Sequence, residues 1–255
     1  VPNTSFCNDF CRDISYEKSL LKTIGLIGGT SWLSTIEYYR IINQLTNERL
    51  GALNSAKILL YSINFEEFKP PSDPGGWGPV AETFTGIARR LEAAGADCLL
   101  LCANTPHMAA DAVRKNIGIP LLHIAEATAE EVVRKKVSTV GLLGTKYTMD
   151  LPFFKERLSR GGVQTLIPSE KDKEFIHSSI YAELGKGIFA SETKKRYLHI
   201  IDDLKTKGAE GVIFGCTEIP MLLNQSDCDI PVFDTTAIHS RAAVDFALAD
   251  SGIKH

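Results

Sequence analysis

The chain has 255 residues, of which 44% are apolar, 23% charged and 8% aromatic, close to the averages of soluble globular proteins, which excludes disorder, collagen and coiled coil. A chain of this length buries roughly 70–75% of its unfolded surface without a disulfide or metal staple, and it suits one large domain or two of half that size. Lys plus Arg numbers 28 against 31 for Asp plus Glu, a net charge of −3, so there is no electrostatic footprint for nucleic acid or anionic lipid and a small-molecule ligand is expected.

The six cysteines, Cys7, Cys11, Cys98, Cys102, Cys216 and Cys228, are too sparse for a disulfide scaffold, and several stand in apolar runs. They read as reduced thiols of a cytoplasmic protein. Cys7 and Cys11 form a C-x3-C with no second pair of ligands nearby, so no metal site is expected there. No window approaches the ~20 apolar residues that span a bilayer. The opening stretch carries acidic residues where a secretory signal has its apolar core. Residues 1–21 are set apart as an N-terminal extension.

From Lys22 onward, short β-branched or Leu-rich runs alternate with amphipathic stretches of helical period, the signature of βαβ units around a buried parallel sheet. In chain order the pattern predicts strands over 23–27, 57–62, 98–102, 120–124, 139–143, 164–167, 212–214 and 232–233, with helices over 34–50, 80–94, 108–115 and 125–135 among those filling the gaps. The segment KPPSDPGGWGP (69–79) has four prolines and three glycines and is expected to be an irregular loop. Its Trp77 reads as a packing anchor in preference to a lid residue.

The two halves of the sequence repeat one another. KTIGLIGGT (22–30) matches STVGLLGT (138–145), with Gly25 on Gly141 at an offset of 116. LEAAGADCLLL (91–101) matches LKTKGAEGVIF (204–214) at an offset of 113, and IPLLH (119–123) matches IPVFD (230–234) at an offset of 111. Three ordered matches imply two duplicated α/β domains of about a hundred residues each. The expected boundaries are 22–124 together with 236–255 for the first and 125–235 for the second. In each half a strand ends in a polar turn that opens a helix, and open parallel sheets bind ligands at the carboxyl ends of their strands. The candidate segments are GGTSW (28–32), ANTPH (103–107), GTKY (144–147) and CTEIP (216–220), rich in groups that hold carboxylates.

Gly25-x-x-Gly28-Gly29 has the spacing of neither a dinucleotide fingerprint nor a phosphate-binding loop. Those glycines serve close helix-on-sheet packing, an anion site at the Thr30 and Ser31 amides, or both. Cys216 follows an apolar strand and precedes Thr217, Glu218 and a helical pattern, which puts its thiol near a helix N-terminus, where the dipole lowers a thiol pKa. The competing reading is a buried apolar cysteine at a strand end.

LLLCANTPH (99–107) and GVIFGCTEIP (211–220), with GLIGGTSW (25–32) and its following Glu37-Tyr38-Tyr39, and VGLLGTKYTMD (140–150), resemble the aspartate/glutamate racemase family, in particular its broad-specificity branch. The resemblance runs from about Lys22 to Ala249. It implies two Rossmann-like domains with the active site in the cleft between them and proton transfer at the carbon next to a carboxylate, without pyridoxal phosphate or metal. The chemistry of the residues agrees. Inverting a stereocentre needs a base on one face and an acid on the other, and a duplicated protein with a pseudo-twofold axis supplies two facing positions; thiols suit the task because they exchange protons readily. Asn104, Thr105, Thr217 and Ser31 are suitable donors to the substrate carboxylate. Lys186 resembles a family position that pairs with a carboxylate, or is a solvated lysine in a turn.

One position departs from the family pattern. A Cys, or in one branch a Thr, precedes the Asn-Thr pair in such racemases, and here that residue is Ala103. The repeat offset gives the same correspondence, since 216 minus 113 is 103. A methyl group neither donates nor accepts a proton. Cys102 lies one residue earlier, and adjacent strand side chains point to opposite faces, so it is expected in the core. The chain is then an amino-acid racemase, a one-cysteine lyase or isomerase of a small dicarboxylate, or a binding homologue with impaired turnover. His107 either orients substrate or Asn104, or caps a helix; His123 is a core-edge residue; Glu218 is assigned to the substrate ammonium. The expected assembly is a homodimer, with a small amino acid or dicarboxylate as ligand and neither nucleic acid nor membrane as partner.

Overall fold

The computed structural model describes residues 21–67 and 76–249. Cys7, Cys11 and most of the proline- and glycine-rich segment lie outside the described residues. In chain order the elements are β1 (Thr23–Gly28), α1 (Trp32–Leu50), β2 (Lys57–Ser62), α2 (Trp77–Ala93), β3 (Cys98–Leu101), α3 (Ala110–Arg114), α4 (Ile124–Arg134), β4 (Thr139–Gly144), α5 (Lys146–Asp150), α6 (Pro152–Arg160), β5 (Gln164–Leu166), α7 (Glu170–Ala182), α8 (Ser191–Thr206), β6 (Gly211–Gly215), α9 (Ile219–Leu222), β7 (Val232–Asp234) and α10 (Thr235–Leu248). Among the described residues no helix is long and apolar enough to cross a membrane.

The strands form two parallel sheets, of order β2-β1-β3 and β5-β4-β6-β7. Their central strands are apolar and buried on both faces because helices cover both. The register repeats with the sequence. Gly25 sits opposite Leu99 in the first sheet and Gly141 opposite Val212 in the second, the same pairs related by the offsets 116 and 113. The flanking polar contacts repeat too. The Asp97 carboxylate accepts from the Thr23 amide at 2.6 Å, and Glu210 accepts from the Ser138 amide at 2.7 Å. Where the third match aligns His123 with Asp234, both cap the next helix, His123 accepting from the Ala125 amide at 3.1 Å and Asp234 from the Thr236 amide at 2.8 Å.

Three predicted elements differ. The strand over 120–124 shrinks to one bridge, Leu99 to Leu121. The next acceptor of that ladder, the Leu122 carbonyl, bonds instead to His239 Nε2 at 2.9 Å, and α4 begins two residues later. The helix over 108–115 is a 3-10 turn, Thr105–Ala109, that runs into the short α3. The irregular loop ends earlier than Pro79, because Trp77–Pro79 form the first turn of α2; there the missing proline N–H has no intrahelical partner to lose. Trp77 is buried and meets Tyr147 of the second half edge-on, ring centroids 6.5 Å apart.

Strand alternation divides the first sheet's packing. Leu99 and Leu101 face Trp77, Phe84 and Val113, whereas Cys98, Leu100 and Cys102 face Tyr38, Ile42, Val244 and Leu248 of α1 and α10. Cys102 is thus sealed in the α1–α10 core with no solvent exposure. The second sheet has one continuous core, which reaches Cys216 at its ligand end.

Beneath the strand ends, His107, His123 and His239 gather around a common point, with ring centroids 4.5 Å apart for His107 and His123 and 5.4 Å for His107 and His239. Each ring is held neutral by its partners. His239 donates through Nε2 to Leu122 and so accepts at Nδ1 from the Tyr38 hydroxyl at 2.8 Å. Burial pushes all three imidazoles down, His239 to about 4. The unfolded chain titrates this histidine near pH 6.5, so its contribution to stability is complete above that pH and is lost as the pH falls toward 4. Between pH 7 and pH 5 the loss is about 2 kcal/mol by linkage. His239→Gln, which keeps a donor and an acceptor in place, should make the urea-unfolding free energy fall by that much less over the same interval; an identical pH dependence would show that the histidine does not titrate on unfolding.

Candidate active site

The site is assembled at the carboxyl ends of β1, β3, β4 and β6. After β1 the chain turns sharply at Gly29, which has φ +88° and would set a Cβ 2.1 Å from the Ile63 carbonyl oxygen; only glycine fits. Gly28 in turn would drive a Cβ to 2.5 Å from the Thr35 side chain of α1, so close packing of α1 on the sheet is one use of this motif. The turn delivers Thr30 and Ser31 to the start of α1, where the Ser31 hydroxyl caps the helix and the first amides have no intrahelical acceptor. In the second half Gly144 and Gly215 lie opposite each other, and a Cβ on either would come within 3 Å of the other strand's backbone. That contact brings the ends of β4 and β6 together and leads directly to Cys216.

These ends enclose a cavity of about 450 Å³. The first half contributes Thr30, Ser31, Ala103, Asn104 and Thr105, and the second Lys186, Cys216, Thr217 and Glu218. Nine of the ten residues singled out in the sequence therefore share one cavity wall. His107 does not line it. Its Nε2 accepts from the Ile124 amide at 3.2 Å, which leaves Nδ1 to donate to the Ala103 carbonyl at 2.9 Å. Both ring nitrogens are used in holding the turn after β3, so His107 supports the cavity from below and is unavailable to a ligand.

Cys216 is 8% exposed, and its thiol donates to Glu218 Oε2 at 2.8 Å. Thr217 Oγ1 lies 2.8 Å from the same carboxylate oxygen, and Ser34 Oγ lies 3.2 Å from Oε1. Burial and the Glu218 charge push the Cys216 thiol well above its ordinary range, which overturns the lowered pKa expected from a helix dipole. The helix after Cys216, α9, has only four residues, so few peptide dipoles add, and a carboxylate in contact outweighs them. The resting sulfur is a protonated thiol whose S–H is directed at the Glu218 side chain.

Facing groups are arranged differently from a simple donor set. Asn104 Nδ2 donates to Thr235 Oγ1 at 3.1 Å, and Thr235 donates its own proton to the Phe214 carbonyl at 2.8 Å. This fixes the amide and leaves Asn104 Oδ1 buried without a protein partner, as is Thr30 Oγ1. Thr105 and Thr145 hydroxyls meet at 3.2 Å across the two halves. Lys186 stands in the turn Leu184–Lys186, exposed at the cavity and with no ion pair among the described residues. Thr145 lies in the candidate segment 144–147; sequence reasoning missed Ser34, Ile180, Tyr181 and Phe65 as wall residues. Ser34 follows the same strand end as Thr30 and Ser31, a signal that was present. Ile180, Tyr181 and Phe65 come from segments with no motif.

Comparison with known proteins agrees with this geometry. The family model described as Asp/Glu/Hydantoin racemase matches residues 27–243. A Yersinia pestis protein classed with the Asp/Glu racemases is 45% identical, with a TM-score of 0.84 over 89% of this chain and all of its own. An aspartate racemase homologue from Pyrococcus horikoshii is 36% identical, with a TM-score of 0.80 over 89% of this chain and 99% of its own. The broad specificity amino-acid racemase RacX of Bacillus subtilis is 25% identical over 162 residues, 64% of this chain and 70% of its own. The chain belongs to the Asp/Glu/hydantoin racemase family.

Proposed function

We propose that this protein is a cofactor-independent isomerase of the amino-acid racemase type, moving the α-proton of a small amino acid through the thiol of Cys216. The observation that carries the reading is that Cys216 is the only thiol among the described residues to line the cavity, with its proton already directed at a carboxylate. When Glu218 takes that proton, the sulfur becomes the base that removes the α-proton; when the thiol keeps it, the sulfur is the acid that returns one. The substrate carboxylate, into which charge spreads as the proton leaves, is assigned to the start of α1 at Thr30 and Ser31, to Thr105 and to Lys186. The unpartnered oxygen of Asn104, and Glu218 while it is ionised, are the groups that suit an ammonium. A homodimeric, cytoplasmic enzyme belongs to the same proposal.

Ala103 favours a second reading of the same scaffold. It lines the cavity from the first half at the position that the repeat equates with Cys216, and Cys102 is buried in the core behind it. Proton exchange through one face is then intact while delivery to the other is weak, and the chemistry becomes that of a one-sided lyase or isomerase if the α-substituent leaves as carbon dioxide or the double bond moves.

Two measurements decide the matter. Cys216→Ser retains the hydrogen bond to Glu218 and should stay folded, with a thermal midpoint within a few degrees, yet lose at least 10³-fold in α-proton exchange, since an alcohol is a far weaker acid than a thiol; full activity in this variant would end the assignment. The second follows from Ala103. Solvent deuterium should enter one enantiomer much faster than optical rotation decays, and Ala103→Cys should raise inversion by roughly 10²- to 10⁴-fold, the usual worth of a general acid, with exchange nearly unchanged. Equal, fast inversion of both enantiomers by the wild type would refute the one-sided account.

A further inference from the structure

Ser34 carries no motif and no assigned role, yet it is fully enclosed at the seam between the two halves. It lies in the first turn of α1, and its hydroxyl hydrogen-bonds with Thr217 Oγ1 and lies 3.2 Å from Glu218 Oε1. Those partners are 183 and 184 residues away in sequence. Thr217 Oγ1 in turn lies 2.8 Å from Glu218 Oε2.

Counting protons orders this cluster. Ser34 and Thr217 each have one hydroxyl proton. If Thr217 donates to Glu218, the hydrogen bond between the two hydroxyls obliges Ser34 to donate to Thr217. If Ser34 donates to Glu218, Thr217 donates to Ser34. In both arrangements the chain of hydroxyls ends on the Glu218 carboxylate, which also receives the Cys216 thiol at 2.8 Å. Ser34 therefore contributes, directly or through Thr217, to the donation that spreads the carboxylate's charge, and what that donation takes up is not available to hold the sulfur's proton. Ser34 also belongs to the first half while Cys216, Thr217 and Glu218 belong to the second, so the arrangement exists only while the cleft walls are in contact.

From this geometry we infer that Ser34 is a positioning residue that acts through Glu218, setting how readily Cys216 gives up its proton and tying that readiness to the contact between the two halves. Only the turnover arm of its test rests on the racemase reading; the thiol arm does not.

The test is the pH dependence of Cys216 alkylation by iodoacetamide, read by mass spectrometry on the Cys216 peptide of the full chain, which needs no substrate. Ser34→Ala removes a link from the hydroxyl chain that ends on the carboxylate and should move the half-point of alkylation up by half a pH unit or more, whereas Ser34→Thr, which restores a hydroxyl, should return it to the wild-type value. Glu218→Gln removes the anion beside the sulfur and should move the half-point down. In the Glu218→Gln background, adding Ser34→Ala should change nothing further, because the path from Ser34 to the sulfur has been cut. With an amino-acid substrate, Ser34→Ala should lower kcat about 10-fold and leave KM within 2-fold. An unshifted alkylation profile in Ser34→Ala, or independent and additive shifts in the double variant, would overturn the inference. If alkylation behaves as expected but no substrate turns over in any variant, the racemase reading fails and the role of Ser34 toward the thiol stands.

Discussion

A carboxylate buried to within 5% of complete enclosure would be costly if it stood alone, and Glu218 is tolerated because two hydroxyls and a thiol surround it. Much of the site follows from satisfying that one charge. It requires Cys216 to turn its S–H inward, Thr217 to turn its hydroxyl the same way, and α1 of the first half to approach closely enough for Ser34 to join. The approach of α1 is in turn permitted by Gly28, where any Cβ would strike Thr35, and by the left-handed turn at Gly29. A single buried ionic group thus links local backbone conformation in one half to the protonation of sulfur in the other.

Duplication explains why so many polar groups converge, and divergence explains why they do different work. The two sheets share a register, and the strand ends of both point into one cavity. Equivalent positions then took separate chemical paths. His123 and Asp234 both cap helices, one with an imidazole and the other with a carboxylate. Ala103 and Cys216 occupy corresponding places, one with a methyl and the other with an ionisable thiol. The equivalence also has a structural cost. In the first half His239 takes the Leu122 carbonyl, so the fourth strand is reduced to a bridge, while its counterpart β7 pairs along three residues.

The imidazole cluster and the cavity obey the same rule, that burial favours the neutral form. Three histidines are held neutral beneath the strand ends, where each nitrogen but His123 Nε2 has a partner. Neutral supports keep positive charge away from the cavity floor. Among the described residues, the charged side chains at the wall are Lys186, Glu66 and Glu218, a set of mixed sign. Asn104 shows how a support decides function. With one amide N–H committed to Thr235, the orientation of the side chain is fixed and its oxygen is left as a buried, unpartnered acceptor.

Sequence by itself determined the parallel α/β class, the repeat and the segments that line the cavity, because apolar runs, glycine turns and strand-end polar clusters are short-range features whose physical meaning does not depend on distant partners. Lys57–Ser62 is a strand on its pattern alone, and the offset between Ala103 and Cys216 is arithmetic on the chain. Tertiary structure decided what depends on contacts between remote residues. The strand expected over 120–124 failed because His239, more than a hundred residues away, captured a carbonyl. His107 left the cavity because its two nitrogens were claimed by backbone groups above and below it. The acidity of Cys216 reversed direction because burial and a touching carboxylate exceed the field of a one-turn helix, and Ser34 entered the site only because α1 folds onto a segment 183 residues further on. Hydrogen-bond partners and local dielectric are properties of the packed chain, and no spacing along the sequence encodes them.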